Sequence, residues 1–310
     1  IVVTADDTQA DIIINVDNSG SMEFEQNSMS EKIQSFMQPF SHLDYHIAIT
    51  TTSPIGNDEI WKSSLDYVDG QFVEIESGRH CIKKSERTPA EAQALIQANV
   101  VRGLNLLDDQ GNPIINPHTN QPYAEGNGWE RGIFTTYRAF ERSMVPGSPE
   151  SDCLRPNVPK HIILISDEGE TLMDNLGGSL PEVSKSHGPN LVSFVANSYG
   201  ADTVFKFHSI IVNPFTAEGA ECLASHGGRT GVAYGQLSVD TGGLIGSVCA
   251  QDYSNQLASI GEVISKSKLS FPLGCIPVIG TPKSLASLPN LEPVTEGFSF
   301  SGDKIEVTSG

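Results

Sequence analysis

Three side chains on alternate residues could do chemistry together: Asp17, Ser19 and Ser21, within DNSGSM. They offer one carboxylate and two hydroxyls in a tight turn that Gly20 leaves room for. All are hard oxygen donors, which suit magnesium, calcium or manganese rather than zinc or copper. The bland reading of the same residues is an ordinary polar turn, since Asp, Asn, Ser and Gly all favour turns.

The elements that must position them begin with Ile12, Ile13, Ile14 and Val16, a short β-branched run just before the turn. Such a run reads as a buried strand, and open α/β sheets bind ligands at the carboxyl ends of their strands. Further strands are expected at residues 44–52, 71–76, 161–165, 204–212 and 244–248. Of these, 71–76 alternates apolar and polar residues and reads as an antiparallel edge strand. Helices are expected at 28–40, with Ser28 and Glu31 as a capping box, and from Pro89 to about residue 108. Others are expected at 129–143, up to 199, at 232–241 and at 252–267. Residues 109–127 are rich in Pro, Asn and Gly and read as a binding loop or an inert insertion. Strands and helices thus alternate, the signature of a doubly wound, Rossmann-like α/β domain with a mostly parallel six-stranded sheet. The expected division is a domain over 1–268 and a small β appendage over 269–310, the start of a module cut short at Gly310.

The 310 residues carry a formal net charge of −19, with 38% hydrophobic and 18% charged residues. That is a globular composition. A chain so acidic, with no basic cluster, is unsuited to nucleic-acid backbones. No apolar run approaches the length of a transmembrane helix. The chain starts at Ile1 without a basic-then-apolar leader, as expected of a mature product after signal removal or of a trimmed piece. The five cysteines form no C-x-x-C pair and suit isolated disulfides in an oxidising compartment. The eight histidines show no ligand spacing.

Asp17-Asn18-Ser19-Gly20-Ser21 at the end of a first strand resembles the Asp-x-Ser-x-Ser motif of the von Willebrand factor A domain and its metal-ion-dependent adhesion site. The resemblance covers about 11–267. Phrases such as ERGIFTTYRAF and IILISDEGE resemble bacterial surface members of that family, often anchored as lipoproteins. It implies a second metal ligand at Asp167, which ends the run IILISD, with Glu168 nearby. The family's third loop supplies a Thr, but the aligned position here is Trp129. Glu130 then stands as the substitute donor, with Asn127 another candidate. Asn18, Asn127, Trp129 and Glu168 are the expected ligand-contacting positions.

The implied function is an exported adhesin or ligand-binding module. A divalent cation, magnesium first, with manganese or calcium as alternatives, would capture an acidic group of a protein or cell-surface partner. The implied location is secreted, periplasmic or anchored at the surface. Two other readings stay open: a structural module of an envelope assembly with a vestigial site, and a magnesium-dependent hydrolase using Glu130 or Glu168. No catalytic motif accompanies the metal residues, so an enzyme is not expected. In the family's sheet the third strand is antiparallel. That brings Cys81 and Cys153 to one edge and Cys222 and Cys249 to the opposite one, implying Cys81–Cys153 and Cys222–Cys249 with Cys275 left over. On the chain-entropy model the first would contribute about 4 kcal/mol and the second about 3 kcal/mol.

Overall fold

The computed structural model describes residues 9–54, 69–102, 130–171, 183–226 and 228–267, and five short strands beyond them. Six strands form one sheet: β1 (Gln9–Val16), β2 (Asp44–Thr51), β3 (Ile82–Lys83), β4 (Lys160–Ile165), β5 (Phe205–Ile211) and β6 (Ile245–Ser247). Their order is β3-β2-β1-β4-β5-β6. Every pairing is parallel except β2 with β3. Among the described residues, seven helices accompany them: α1 (Glu23–Met37), α2 (Pro89–Val100), α3 (Gly132–Ser143), α4 (Gly188–Tyr199), α5 (Ala217–His226), α6 (Val232–Thr241) and α7 (Ser254–Ser265). This is the expected doubly wound α/β architecture.

The strand alternation divides the core in two. Ile12, Ile14 and Val16 of β1, with Ile163 and Ile165 of β4, face a cluster built by Met29, Ile33 and Phe36 of α1, Ile96 of α2 and Leu257 of α7. Ile13, Ile162 and Leu164 face the other side, against Phe140 of α3, Leu191 of α4 and Leu237 of α6. A strand buried on both faces needs apolar residues at consecutive positions, which accounts for the Ile-Ile-Ile run. Each such side chain contributes roughly 1.5–3 kcal/mol of burial.

Several boundaries differ from expectation. The edge strand is Ile82–Lys83 and not residues 71–76. The earlier segment makes one ladder-like bond to β2, Val73 N–H to the Ile49 carbonyl, then turns back on itself through a bridge between Glu76 and Arg79. Gly78, at φ +72°, sits in that reversal. The first helix starts at Glu23, so Ser28 lies inside it and caps nothing. A 3-10 turn, Gly20–Met22, begins directly after Ser19, contains Ser21 and feeds the chain into it. The helix expected from 129 starts at Gly132. Helix α5 was not anticipated; AEGAECLASH carries too few large apolar residues to show a period. Elsewhere the local signals hold. Thr88 and Glu91 form the reciprocal capping box, before Pro89 at the first helical position. Helix α6 spans residues 232–241 and ends on Gly242 at φ +64°.

The disulfides are Cys81–Cys153 and Cys222–Cys249, each with Cα atoms 5.7 Å apart, the pairing the resemblance implied. Helix α2 stops at Val100, with Val101 in extended conformation, short of the expected end near residue 108. Cys275 and residues 109–127 lie outside the described residues. Beyond the main sheet, β7 (Ser270–Pro272), β10 (Phe298–Ser301) and β11 (Lys304–Val307) form one antiparallel sheet. Strands β8 (Leu285–Ser287) and β9 (Glu292–Val294) pair in another. No helix among the described residues is long and apolar enough to cross a membrane.

Candidate metal centre

The site forms where β1 and β4, adjacent and parallel, both run out at the carboxyl edge of the sheet. The Asp17 N–H donates to the Ile165 carbonyl at 2.9 Å, so the two strand ends are in step. Asp17 is fully buried. Its Oδ1 accepts from the Ser19 N–H at 2.9 Å and its Oδ2 from the Ser166 hydroxyl at 2.5 Å. The Ser19 and Ser21 hydroxyls lie 3.0 Å apart, so the two converge. Ser19 is buried and Ser21 exposed, which leaves the turn with a dry side and a wet side.

Glu130 is brought in by a chain of contacts more than a hundred residues away in sequence. The Asn15 amide nitrogen sits 3.0 Å from the Gly132 carbonyl and from the hydroxyls of Thr135 and Thr136. This pins the start of α3 beneath β1, two residues before Asp17. Close packing of Gly132 adds to it, because a Cβ there would stand 2.3 Å from Leu164 Cδ1. Glu170 accepts from the free N–H groups of Ile133 and Phe134, at 2.8 and 3.1 Å, and so caps α3. Burial pushes the Glu170 carboxyl up to about 7 against those bonds. The Arg131 N–H donates to the Thr52 carbonyl and the Thr171 N–H to the Glu130 carbonyl. The Glu130 side chain is thereby held, buried, among other acids.

The electrostatics of this group are unusual. Burial first, and then the Asp167 charge, push the Asp17 carboxyl up to about 7 despite its bonds to Ser166 and Ser19. Burial first, and then the charges of Asp17, Glu168 and Asp167, push Glu130 up to about 9. Glu130 Oε1 and Asp167 Oδ1 are buried with no hydrogen-bond partner. Buried oxygens are nearly always paired, so two orphans beside a third carboxylate leave a set of hard donors short of positive charge. The residues therefore fit a hard divalent ion. The carboxylates do not form a tight cage. Among the described residues, the only His, Cys, Asp and Glu groups with three ligand atoms within 4.8 Å are Cys81, Asp152 and Cys153, whose sulfurs are spent in a disulfide. A wider set with two hydroxyls suits an ion that keeps water or a partner oxygen in its shell.

The remaining expected residues divide. Asn18 is buried, and its amide oxygen accepts from the Ser53 hydroxyl at 2.8 Å, so it ties the turn to the end of β2. Glu168 is half-buried and pairs with Arg229 at 3.3 Å. Its carboxyl is pushed up by burial against the Arg229 charge. Asn127 and Trp129 lie outside the described residues. Three side chains were missed. Ser166 bonds Asp17 directly. Gln26 donates to the Asp17 carbonyl at 2.6 Å. Thr52 carries a buried hydroxyl without a partner, and its carbonyl holds the Arg131 N–H next to Glu130. Ser166 was discoverable, since it directly precedes Asp167 at a strand end; Gln26 and Thr52 carried no local signal.

No family model matches the chain, and no curated protein does. Among solved structures it is similar to proximal thread matrix protein 1 from the mussel byssus, with TM-score 0.42 and 11% identity over 87% of this chain and 50% of that one. The N-terminal domain of TFIIH p34 gives TM-score 0.42 and 10% identity over 82% of this chain and 99% of that one. The pilus adhesin SpaC from Lactobacillus rhamnosus GG gives TM-score 0.42 and 11% identity. That likeness covers 97% of this chain and 36% of SpaC. The chain thus spans half or less of the mussel protein and of SpaC. Likeness this distant carries no functional information.

Proposed function

We propose that the chain is a metal-dependent ligand-binding module of the von Willebrand factor A kind. Asp17, Ser19, Ser21, Asp167 and Glu130 would hold a divalent cation, magnesium first. The ion would supply positive charge and an open coordination position to which a carboxylate of a protein or cell-surface partner binds. The observation that carries the reading is the pair of unpartnered buried oxygens on Glu130 and Asp167 beside the buried Asp17. Buried like charges are costly unless neutralised, and a hard cation removes the repulsion and satisfies the oxygens at once.

This chain's own residues then do three things. Ser166 and the Ser19 N–H fix both oxygens of Asp17. The capped start of α3 brings Glu130 to the same place. Asn18, bonded to Ser53, keeps the turn from opening. The role is binding and not turnover. Two disulfides are compatible with an extracytoplasmic protein, and we place the module outside the cytoplasm, at a cell surface or secreted.

Calorimetric titration with magnesium and manganese tests the reading. Wild-type protein is expected to bind both, and Asp17→Ala neither. Undiminished affinity in Asp17→Ala, or no binding to wild-type protein at about millimolar metal, would sink it.

A further inference from the structure

The candidate metal centre has two flanks of opposite character, and they decide which way a partner lies. On the Ser21 side, a cavity of about 520 Å³ is lined by Ser21, Glu23, Phe24 and Glu31. Its carboxylates repel a second acidic group. On the Asp167 side, a cavity of about 460 Å³ is lined by Gly169, Glu170, Leu223, Gly228, Arg229 and Thr230. Its one acid, Glu170, has both oxygens taken by the Ile133 and Phe134 N–H groups, and its cation is Arg229. The loop carrying Arg229 is seated on the metal residue itself, since the Arg229 N–H donates to the Asp167 carbonyl at 2.8 Å. Gly228, at φ +74°, permits that approach, because a Cβ there would stand 2.2 Å from the same carbonyl oxygen. The guanidinium uses its Nε edge on Glu168 at 3.3 Å, and the side chain is 74% exposed. A guanidinium presents five N–H donors in a planar fork, so the other edge remains able to take a carboxylate in two parallel bonds.

Resting on the metal reading above, the geometry points to Arg229 as a second anchor for the partner. The site takes two carboxylates, as a dicarboxylate or a pair of neighbouring acidic side chains. One completes the metal's shell. The other pairs with the outer edge of Arg229 over the Leu223 cavity. In a chain of net charge −19, this locates attraction for an acidic partner, among the described residues, on the Arg229 side of the ion.

The test uses manganese-loaded full chain, wild type and Arg229→Gln. Manganese affinity is measured first, then the binding of acetate and butyrate against succinate, glutarate and adipate. At least one dicarboxylate is expected to bind wild-type protein about tenfold more tightly than the monocarboxylates. Arg229→Gln is expected to cut that preference to the statistical factor of about two, with manganese affinity within about threefold of wild type. If manganese binds but no dicarboxylate exceeds about twofold preference, the second anchor is wrong and the metal reading stands. A preference that survives Arg229→Gln, or a variant that loses manganese itself, overturns the anchor equally. Failure of the wild type to bind manganese overturns both.

Discussion

The two edges of the sheet both bury charge, and they treat it in opposite ways. At the amino edge, Asp11 is buried within a set of partners supplied by the protein. Its carboxylate takes the Arg155 Nε at 2.8 Å, the Arg155 N–H at 2.6 Å and the Lys160 ammonium at 3.0 Å. Arg155 also reaches Asp44 at 2.5 Å. Lys160 donates to the Val158 carbonyl at 2.8 Å and to that of Arg155, over the Tyr199 ring. At the carboxyl edge, six residues and roughly 20 Å further along β1, Asp17 meets Glu130 and Asp167, and two oxygens go without partners. The difference teaches what a buried carboxylate is for. One satisfied internally fixes the fold; one left short of positive charge, on the function proposed above, takes it from an ion that arrives from outside.

The sharpest way to break this comparison is to remove one aspartate at each edge. Asp11→Ala is expected to cost about 3–5 kcal/mol, because it strands a buried ammonium and much of a guanidinium. Asp17→Ala is expected to leave chelated protein as stable as wild type, or more so, while metal binding is lost. Urea titrations in chelator read both, and an Asp17→Ala penalty matching that of Asp11→Ala would erase the distinction.

The disulfides come next in size. Removing Cys81–Cys153 by paired serines is expected to cost about 4 kcal/mol, and removing Cys222–Cys249 about 3 kcal/mol. Only the second, which fastens α5 and the loop after β6, is expected also to weaken metal binding. Equal effects on metal affinity would show that the two edges are coupled.

Glu130→Gln sharpens the contrast within the carboxyl edge. With its pKa raised to about 9, Glu130 is largely protonated in chelated protein at pH 7, so its neutral isostere is expected to change stability there by less than about 1 kcal/mol. It is expected to weaken magnesium binding by about tenfold or more. Unchanged affinity would remove Glu130 from the metal's ligands and leave Asp17 in place.

The smallest effect is on pH dependence. Asp17 and Glu130 have folded pKa values raised to about 7 and about 9. Their contribution to stability is fully present below the ordinary carboxylate pKa and is lost as pH rises through those values. Chelated protein should therefore lose stability between about pH 5 and 9. Saturating magnesium should flatten that slope by holding both groups ionised. The stacked pair His161 and His208 acts in the opposite sense. Burial lowers both pKa values, that of His208 to about 3. Their contribution is present above the ordinary histidine range and fades as pH falls below about 6.5. Thermal unfolding against pH, with and without magnesium, checks both; identical slopes would deny the carboxyl edge its special electrostatics.

The amino-acid pattern alone determined the parts that depend on neighbours in the chain. A buried parallel strand needs consecutive β-branched residues, so β1 and β4 were plain from Ile12-Ile13-Ile14 and Ile162-Ile163-Leu164. The helix start at Pro89 and the glycine stop after Thr241 are equally local, whereas the capping box expected at Ser28 and Glu31 fell inside a helix already begun at Glu23. Asp17, Ser19 and Ser21 were legible for the same reason, on alternate residues after one strand end. Helix α5 and the start of α1 escaped because their apolar content is too thin or too blurred to carry a period. What the tertiary structure decided is which distant groups share a space. Glu130 stands by Asp17 because Asn15 grips the first turn of α3 and Glu170 caps it. Ser166 bonds Asp17 because β4 lies beside β1 in the sheet order. Asp11, paired with Arg155 and Lys160, and Asp17, bonded only to neutral donors among the described residues, are both single acids at the limits of one apolar run. Periodicity records which face a residue takes, but not the charge waiting across the sheet, and that charge is what separates Asp11 from Asp17.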